Sequence, residues 1–216
     1  MEFCNGILRA HFQRTNLPIS EPIVVHAIAG SGKTTIVRHI INAQPDLVAR
    51  TLGTPDPRCL SGVRILGPGG DANIVDEYPA ANLSEFPSAF LLLADPLQHR
   101  RDVKPAHYTG NLSHRFGQNT CALLSSFGIE ARSEKVDFVE HVEAYTFEPV
   151  GQIIALGQDA ELVLNNHSLD FLTPCQALGQ TFSTVTLLSD APLEEQDEVS
   201  RYIAITRHTE QLFILT

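Results

Sequence analysis

The sequence predicts an α/β protein built on parallel sheets, and three observations carry that prediction. Short apolar runs with little polar alternation recur at residues 22–29, 47–52, 72–76 and 89–95, as strands covered on both faces require. The first run leads into Gly30-Ser31-Gly32, after which Ile36, Val37, Ile40 and Ile41 recur at helical spacing until Gln44-Pro45; this reads as strand, glycine loop, helix. Near residue 105 the texture changes: His99-Arg100-Arg101-Asp102-Val103-Lys104-Pro105 is polar and basic and reads as a connection. Two compact halves, 1–108 and 109–216, are therefore expected.

The remaining elements follow in order. A further strand is expected at 62–66, before the turn cluster Gly67-Pro68-Gly69-Gly70-Asp71. In the second half a helical pattern covers 121–127, apolar runs cover 152–156, 185–188 and 212–215, and an amphipathic helix covers 196–205. No internal repeat of 20–50 residues is visible. The whole fits 216 residues, 43% of them hydrophobic and 19% charged, a globular composition for one large domain or two small ones.

Composition excludes several classes. The best apolar run, 89–94, is far short of the roughly 20 residues that cross a bilayer. The first residues lack a basic patch followed by an apolar core, so no secretory signal is expected. Cys4, Cys59, Cys121 and Cys175 lie more than 50 residues apart without a Cys-x-x-Cys pair, which argues against a disulfide framework or zinc site and for reduced thiols. His26 and Cys59, each isolated, read as core residues rather than metal ligands. The net charge of −10 speaks at first against a nucleic-acid partner. It is unevenly spread: residues 1–108 carry 10 basic and 10 acidic side chains, residues 109–216 carry 5 and 15. The first half is neutral and holds most of the basic residues.

The chemistry concentrates in four places. Ala27-Ile28-Ala29-Gly30-Ser31-Gly32-Lys33-Thr34-Thr35 fits a P-loop: backbone N–H groups of 29–35 wrap a phosphate at a helix N-terminus, Lys33 supplies charge to the β- and γ-phosphates, and the Thr34 hydroxyl ligates Mg²⁺. Ala27 stands where the pattern has Gly. Ile74-Val75-Asp76-Glu77 ends an apolar run 43 residues after Lys33; Asp76 suits the Mg²⁺ and Glu77 the attacking water. The run 90–94 delivers Asp95 and Gln98 to the same sheet edge, where Gln98 can sense a γ-phosphate. Finally, Arg115 in Ser113-His114-Arg115-Phe116-Gly117 and Arg207 in Thr206-Arg207-His208 are two of only four arginines in the second half, the others being Arg132 and Arg201. A guanidinium of this kind stabilises charge in phosphoryl transfer. Together these predict a P-loop NTPase using ATP, or another NTP, with Mg²⁺.

Taken together, the segments resemble the superfamily 1 RNA helicases of plant viruses, and within them the triple gene block movement proteins of potexvirus and carlavirus type. Residues 27–35 resemble motif I, 74–79 (with Asp-Glu-Tyr-Pro) motif II, 92–98 motif III, 113–117 motif IV, Gly179-Gln180-Thr181-Phe182 the core of motif V, and 202–208 motif VI. The resemblance implies two RecA-like parallel-sheet domains with the nucleotide cleft between them, the first complete through motif III and the second trimmed. It implies Lys33, Asp76, Glu77, Gln98, Arg115 and Arg207 as catalytic and γ-phosphate-sensing groups, and Thr181 as a coupler to RNA.

It also implies binding and remodelling of single-stranded viral RNA, cell-to-cell transport through plasmodesmata and suppression of host RNA silencing. The partners implied are further copies of the chain, capsid protein, the other two triple gene block proteins and the host silencing machinery. The implied location is the host cytoplasm, plasmodesmata and inclusion bodies. Backbone contacts to RNA would come from basic residues of the first half: Arg50, Arg58, Arg100 and Arg101 foremost, with Arg9, Arg14, Arg64 and Lys104 as further candidates. Ala94 departs from the Gly that commonly precedes Asp in motif III. Two alternatives remain at this point: a non-catalytic RNA- or protein-binding silencing suppressor with vestigial NTPase activity, and a small P-loop kinase, against which the late arginine motifs speak. The compact size leaves no room for strand-splitting accessory domains and favours local remodelling over processive unwinding.

Overall fold

The computed structural model describes residues 2–58, 60 and 62–215, and the chain divides into two compact α/β units after Asn111. Cys59 lies outside the described residues.

The first unit is a six-stranded sheet. Its strands are β1 (Gln13–Arg14), β2 (Ile23–Ala27), β3 (Ala49–Thr51), β4 (Ile74–Asp76), β5 (Leu91–Ala94) and β6 (Tyr108–Gly110), in spatial order β1-β6-β2-β5-β4-β3. All neighbours are parallel except the edge pair β1–β6. The apolar runs explain why. Along β2, Ile23, Val25 and Ala27 face one side with Leu91 and Leu93 of β5, while Val24 faces the other with Leu92 and Ala94. Both faces are therefore core, which removes the usual polar alternation.

One face is covered by α1 (Glu2–His11), through Cys4 and Leu8, and by α2 (Lys33–Ala43), through Ile36, Val37, Ile40 and Ile41. The other face packs Tyr78, Phe86 and Ala72. The strand expected at 62–66 is not formed among the described residues; Leu66 makes only a single parallel bridge to Arg50. Strand β6 spans the expected boundary at 108, and Val25 of β2 pairs with Tyr108, so the polar connection ends inside the first unit.

The second unit holds a four-stranded, all-parallel sheet, β7 (Phe138–Val142), β8 (Gln152–Leu156), β9 (Phe182–Ser189) and β10 (His208–Leu215), in spatial order β7-β10-β9-β8. Its helices are α3 (Gln118–Ser126), α4 (Gln158–Asn166), α5 (Pro174–Ala177) and α6 (Glu198–Ile205). Helix α6 starts two residues later than the apolar period suggested, because the Asp197 carboxylate caps it by accepting from the Ser200 N–H at 2.8 Å. The edge strand β7, largely exposed, was not expected, nor was α4.

Candidate functional site

The P-loop closes β2 and opens α2. Gly30 and Gly32 adopt φ of 76° and 83°, left-handed values that a Cβ would strain, so the loop can turn its N–H groups inward. Lys33 is buried at 7% exposure and folds back over the loop, its Nζ donating to the carbonyls of Ala27 (2.7 Å) and Ile28 (3.2 Å). The amine thus lies against the backbone at the start of the loop. The Ser31 hydroxyl is buried without a hydrogen-bond partner.

Across one intervening strand, β4 ends in Asp76. The Thr34 hydroxyl donates to Asp76 Oδ2 at 3.4 Å, while Asp76 Oδ1 is buried without a partner. Burial, with Glu77 beside it as the second cause, pushes the Asp76 carboxyl up to about 7, against the pull of Lys33, the Glu77 N–H and Thr34. A buried anion this poorly compensated is a place for a cation. Hydroxyl and carboxylate are hard oxygen donors and a lysine stands beside them, so the donor set fits Mg²⁺ bound together with phosphate.

Glu77 follows in a left-handed backbone conformation (φ 57°, ψ 39°) that is costly for a non-glycine residue. Its Oε2 meets His99 Nε2 at 2.8 Å. Gln98, expected as a phosphate sensor, turns its amide onto Asp95 Oδ2 at 2.7 Å, and Asp95 is fully buried while capping the turn 96–98 through the Leu97 N–H. Ala94 lies in the apolar cluster with Val24, Leu92 and Tyr78. Its methyl is packed as core, which accounts for the tolerance of a Cβ there. On β2, His26 Nε2 lies 2.8 Å from the Tyr78 hydroxyl. Burial first, then the nearby Lys33 charge, lowers His26 to about 4, so this imidazole is neutral at physiological pH.

Lys33, Thr34, Asp76 and Glu77 thus converge at one end of the first sheet, where β2 and β4 stop and α2 begins. Arg115 and Arg207 belong to the second unit and meet at Thr206. Arg115 Nη1 donates to its carbonyl at 3.2 Å, and Arg207 Nη2 donates to its hydroxyl at 3.0 Å. Arg207 is 1% exposed and also donates to the Ile203 carbonyl. The candidate RNA contacts divide. Arg50 clamps the turn at 67–71 through the Gly67 and Asp71 carbonyls, and Arg101 donates to the Pro79 and Ala80 carbonyls. Arg58, Arg100 and Thr181 are exposed.

The sequence reading missed His99, whose only signal was its place after Gln98. It also missed the buried Asp137 of the second unit. That carboxylate accepts from the Gly117 N–H (2.8 Å), the Asn119 N–H (2.9 Å) and the Thr120 hydroxyl (2.6 Å), and pairs with His208 at 3.1 Å. These contacts overcome the opposing effect of burial and hold Asp137 far below the usual carboxylate range. They tie the start of α3 to the start of β10.

The profile of the viral superfamily 1 RNA helicase core domain matches residues 23–216. The movement and silencing protein TGBp1 of Lily virus X is 58% identical over 215 residues, covering 100% of both chains. That of Indian citrus ringspot virus is 39% identical over 224 residues, covering 100% of this chain and 96% of its own. That of Papaya mosaic potexvirus is 40% identical over 223 residues, covering 99% and 94%. Among solved structures, the arterivirus nonstructural protein 10 helicase in complex with DNA superposes with a TM-score of 0.56 at 17% identity. It aligns with 92% of this chain, which spans only 55% of the arterivirus chain. A PRRSV helicase gives a TM-score of 0.52 at 18% identity, over 98% and 49% of the two chains. These structural likenesses show the fold. The end-to-end sequence matches show the family: the chain belongs to the viral superfamily 1 RNA helicases, among the triple gene block movement and silencing proteins.

Proposed function

We propose that the chain is a Mg²⁺-dependent NTPase, using ATP or a related nucleotide, that couples hydrolysis to the binding and local remodelling of single-stranded viral RNA. The observation that supports it most is the approach of Thr34 to Asp76 at 3.4 Å, with Asp76 Oδ1 buried and unpartnered and Lys33 held over the glycine loop. Mg²⁺, when bound, would neutralise charge on the phosphates. Residues 29–35 and Lys33 hold the phosphates, while Thr34 and Asp76 hold the metal. Glu77 accepts a proton from the attacking water as the water oxygen bonds to the γ-phosphorus and the bridging oxygen leaves with the diphosphate. Gln98, released from Asp95, and the guanidiniums of Arg115 and Arg207 are proposed to sense the γ-phosphate.

The relatives' names, movement and silencing protein, support a role in transport of viral RNA between plant cells and in suppression of RNA silencing. Capsid protein, the other triple gene block proteins, further copies of the chain and the host silencing machinery are the proposed partners, in cytoplasm, plasmodesmata and inclusion bodies. Among the described residues no helix is long and apolar enough to cross a membrane. RNA contact falls to the exposed Arg58 and Arg100, to the outer face of Arg101 and to Thr181. Arg50, which donates to the Gly67 and Asp71 carbonyls, keeps its charge and is a further candidate for that contact.

The test is ATP hydrolysis by the full chain with Mg²⁺, with and without single-stranded RNA. Hydrolysis that RNA accelerates supports the proposal. No hydrolysis, with silencing suppression intact, leaves the non-catalytic suppressor as the function.

A further inference from the structure

The segment that follows Gln98 straps down the turn that carries Glu77. The strap includes three ties. His99 Nε2 meets Glu77 Oε2 at 2.8 Å, the Lys104 N–H donates to the Tyr78 hydroxyl at 2.9 Å, and Arg101 Nη1 donates to the Pro79 and Ala80 carbonyls at 3.3 Å. Tyr78 is in turn tied at 2.8 Å to His26, on the strand that feeds the P-loop. The side chains of His99 and Glu77 are 10% and 22% exposed, so water competes little for the contact. Glu77 also needs holding, since its left-handed backbone is one that a residue with a Cβ leaves readily.

From this geometry we infer that His99 is a positioning residue for hydrolysis: its ring N–H donates to Glu77 Oε2 and holds the carboxylate in the orientation that meets the attacking water. His99 sits one residue past Gln98, whose amide is anchored on the buried Asp95, so a shift of Gln98 on meeting a γ-phosphate is transmitted directly to the Glu77 carboxylate. The strap thereby links phosphate sensing to the water-activating group. The inference rests on the proposed role of Glu77 and makes a separate prediction.

Steady-state ATP hydrolysis by the full chain is measured for the native protein and for Glu77→Gln, His99→Ala and His99→Gln. Thermal melting and binding of a fluorescent ATP analogue serve as controls for folding and site integrity. A lost orienting contact of this kind costs about 10–100-fold in activity. His99→Ala is therefore expected to lower kcat by about 10-fold or more while KM stays within about twofold. His99→Gln, whose amide N–H can donate in place of the imidazole, is expected to recover most of that loss. Native kcat in His99→Ala, when Glu77→Gln is inactive, overturns the positioning role and leaves Glu77 in place. A fall in His99→Ala that His99→Gln does not recover, or one accompanied by a lower melting temperature and weaker nucleotide binding, also overturns it in favour of a structural contact. Full activity in Glu77→Gln removes the role of Glu77, and the inference falls with it.

Discussion

Replacing Asp76 by Asn should make the nucleotide-free protein more stable and abolish the Mg²⁺ binding proposed for that carboxylate. The Asp76 side chain is 3% exposed, one of its oxygens has no partner, and burial together with Glu77 lifts its pKa from 3.8 to about 7. Between pH 4 and 7 the native state keeps a proton that the unfolded chain has lost, so this group's contribution to stability falls as pH rises through that window. At about 1.4 kcal/mol per unit, the cost at pH 8 reaches an upper bound of about 4 kcal/mol, of which less than about half remains at pH 5. Asn keeps the shape and removes the charge.

Melting temperature moves by about 2–4 °C per kcal/mol in a chain of this size. With metal and nucleotide removed by a chelator, Asp76→Asn is therefore expected to melt up to about 16 °C above the native protein at pH 8, the gap more than halving at pH 5. The opposing pH dependence of His26, buried and lowered to about 4 and so losing stability as pH falls below 6.5, is common to both proteins and cancels. Adding Mg²⁺ and nucleotide should close the gap at pH 8 by stabilising the native protein alone. A variant that melts no higher than the native protein at pH 8, or a gap that does not change with pH, would show that Asp76 carries no unfavourable buried charge.

Two further outcomes concern the second unit. Asp137→Asn strips the charge from a fully buried hub that serves Gly117, Asn119, Thr120 and His208, and should cost about 3–5 kcal/mol in urea unfolding at pH 7. Because the Asp137 carboxyl is held below its ordinary value, that stability is present above pH 4 and lost as pH falls, so native and variant should converge in acid; a constant difference contradicts the assignment. Gly117→Ala would drive its methyl onto the Asp137 backbone nitrogen and to 2.7 Å from its carboxylate, and should cost about 1–3 kcal/mol by the same measurement. A cost near zero would mean that the approach of the two segments is loose.

What was legible in the sequence was what is local. The glycine loop between an apolar run and a helix declares itself because Gly30 and Gly32 supply backbone conformations that few other residues tolerate. Likewise Ile74-Val75 and Leu91-Leu92-Leu93 are strands buried on both faces, and their acidic ends fall where the sheet stops. Tertiary context decided the rest. Tyr108-Thr109-Gly110 has no strand signature of its own; it becomes β6 because β2 offers an unpaired edge. The run 62–66 shares the composition of a strand but makes only one bridge, to Arg50.

Helix α1 buries Cys4 and Leu8, a stripe too thin to mark it among polar neighbours. Strand β7 is exposed and partly acidic, so it lacks the apolar run by which the other strands were found. At the candidate site, the convergence of Lys33, Thr34, Asp76 and Glu77 could be anticipated from motif spacing. His99 looked like part of a basic connection, because nothing in its neighbours reveals a contact 22 residues back along the chain. Arginines show the same limit: nothing around Arg50 and Arg101 in the sequence reveals the backbone carbonyls to which they donate.

The P-loop of the first unit, with Asp76, is proposed to hold a nucleotide and its Mg²⁺. Equilibrium titration of a fluorescent ATP analogue into the native chain and into Lys33→Ala, each with Mg²⁺ and with chelator, tests it most directly. Saturable, Mg²⁺-dependent binding to the native chain is expected, with at least about 10-fold weaker binding to Lys33→Ala, from the loss of a charged donor worth about 1.5–3 kcal/mol. Equal affinity in the two proteins, or binding to the native chain that ignores Mg²⁺, would contradict it.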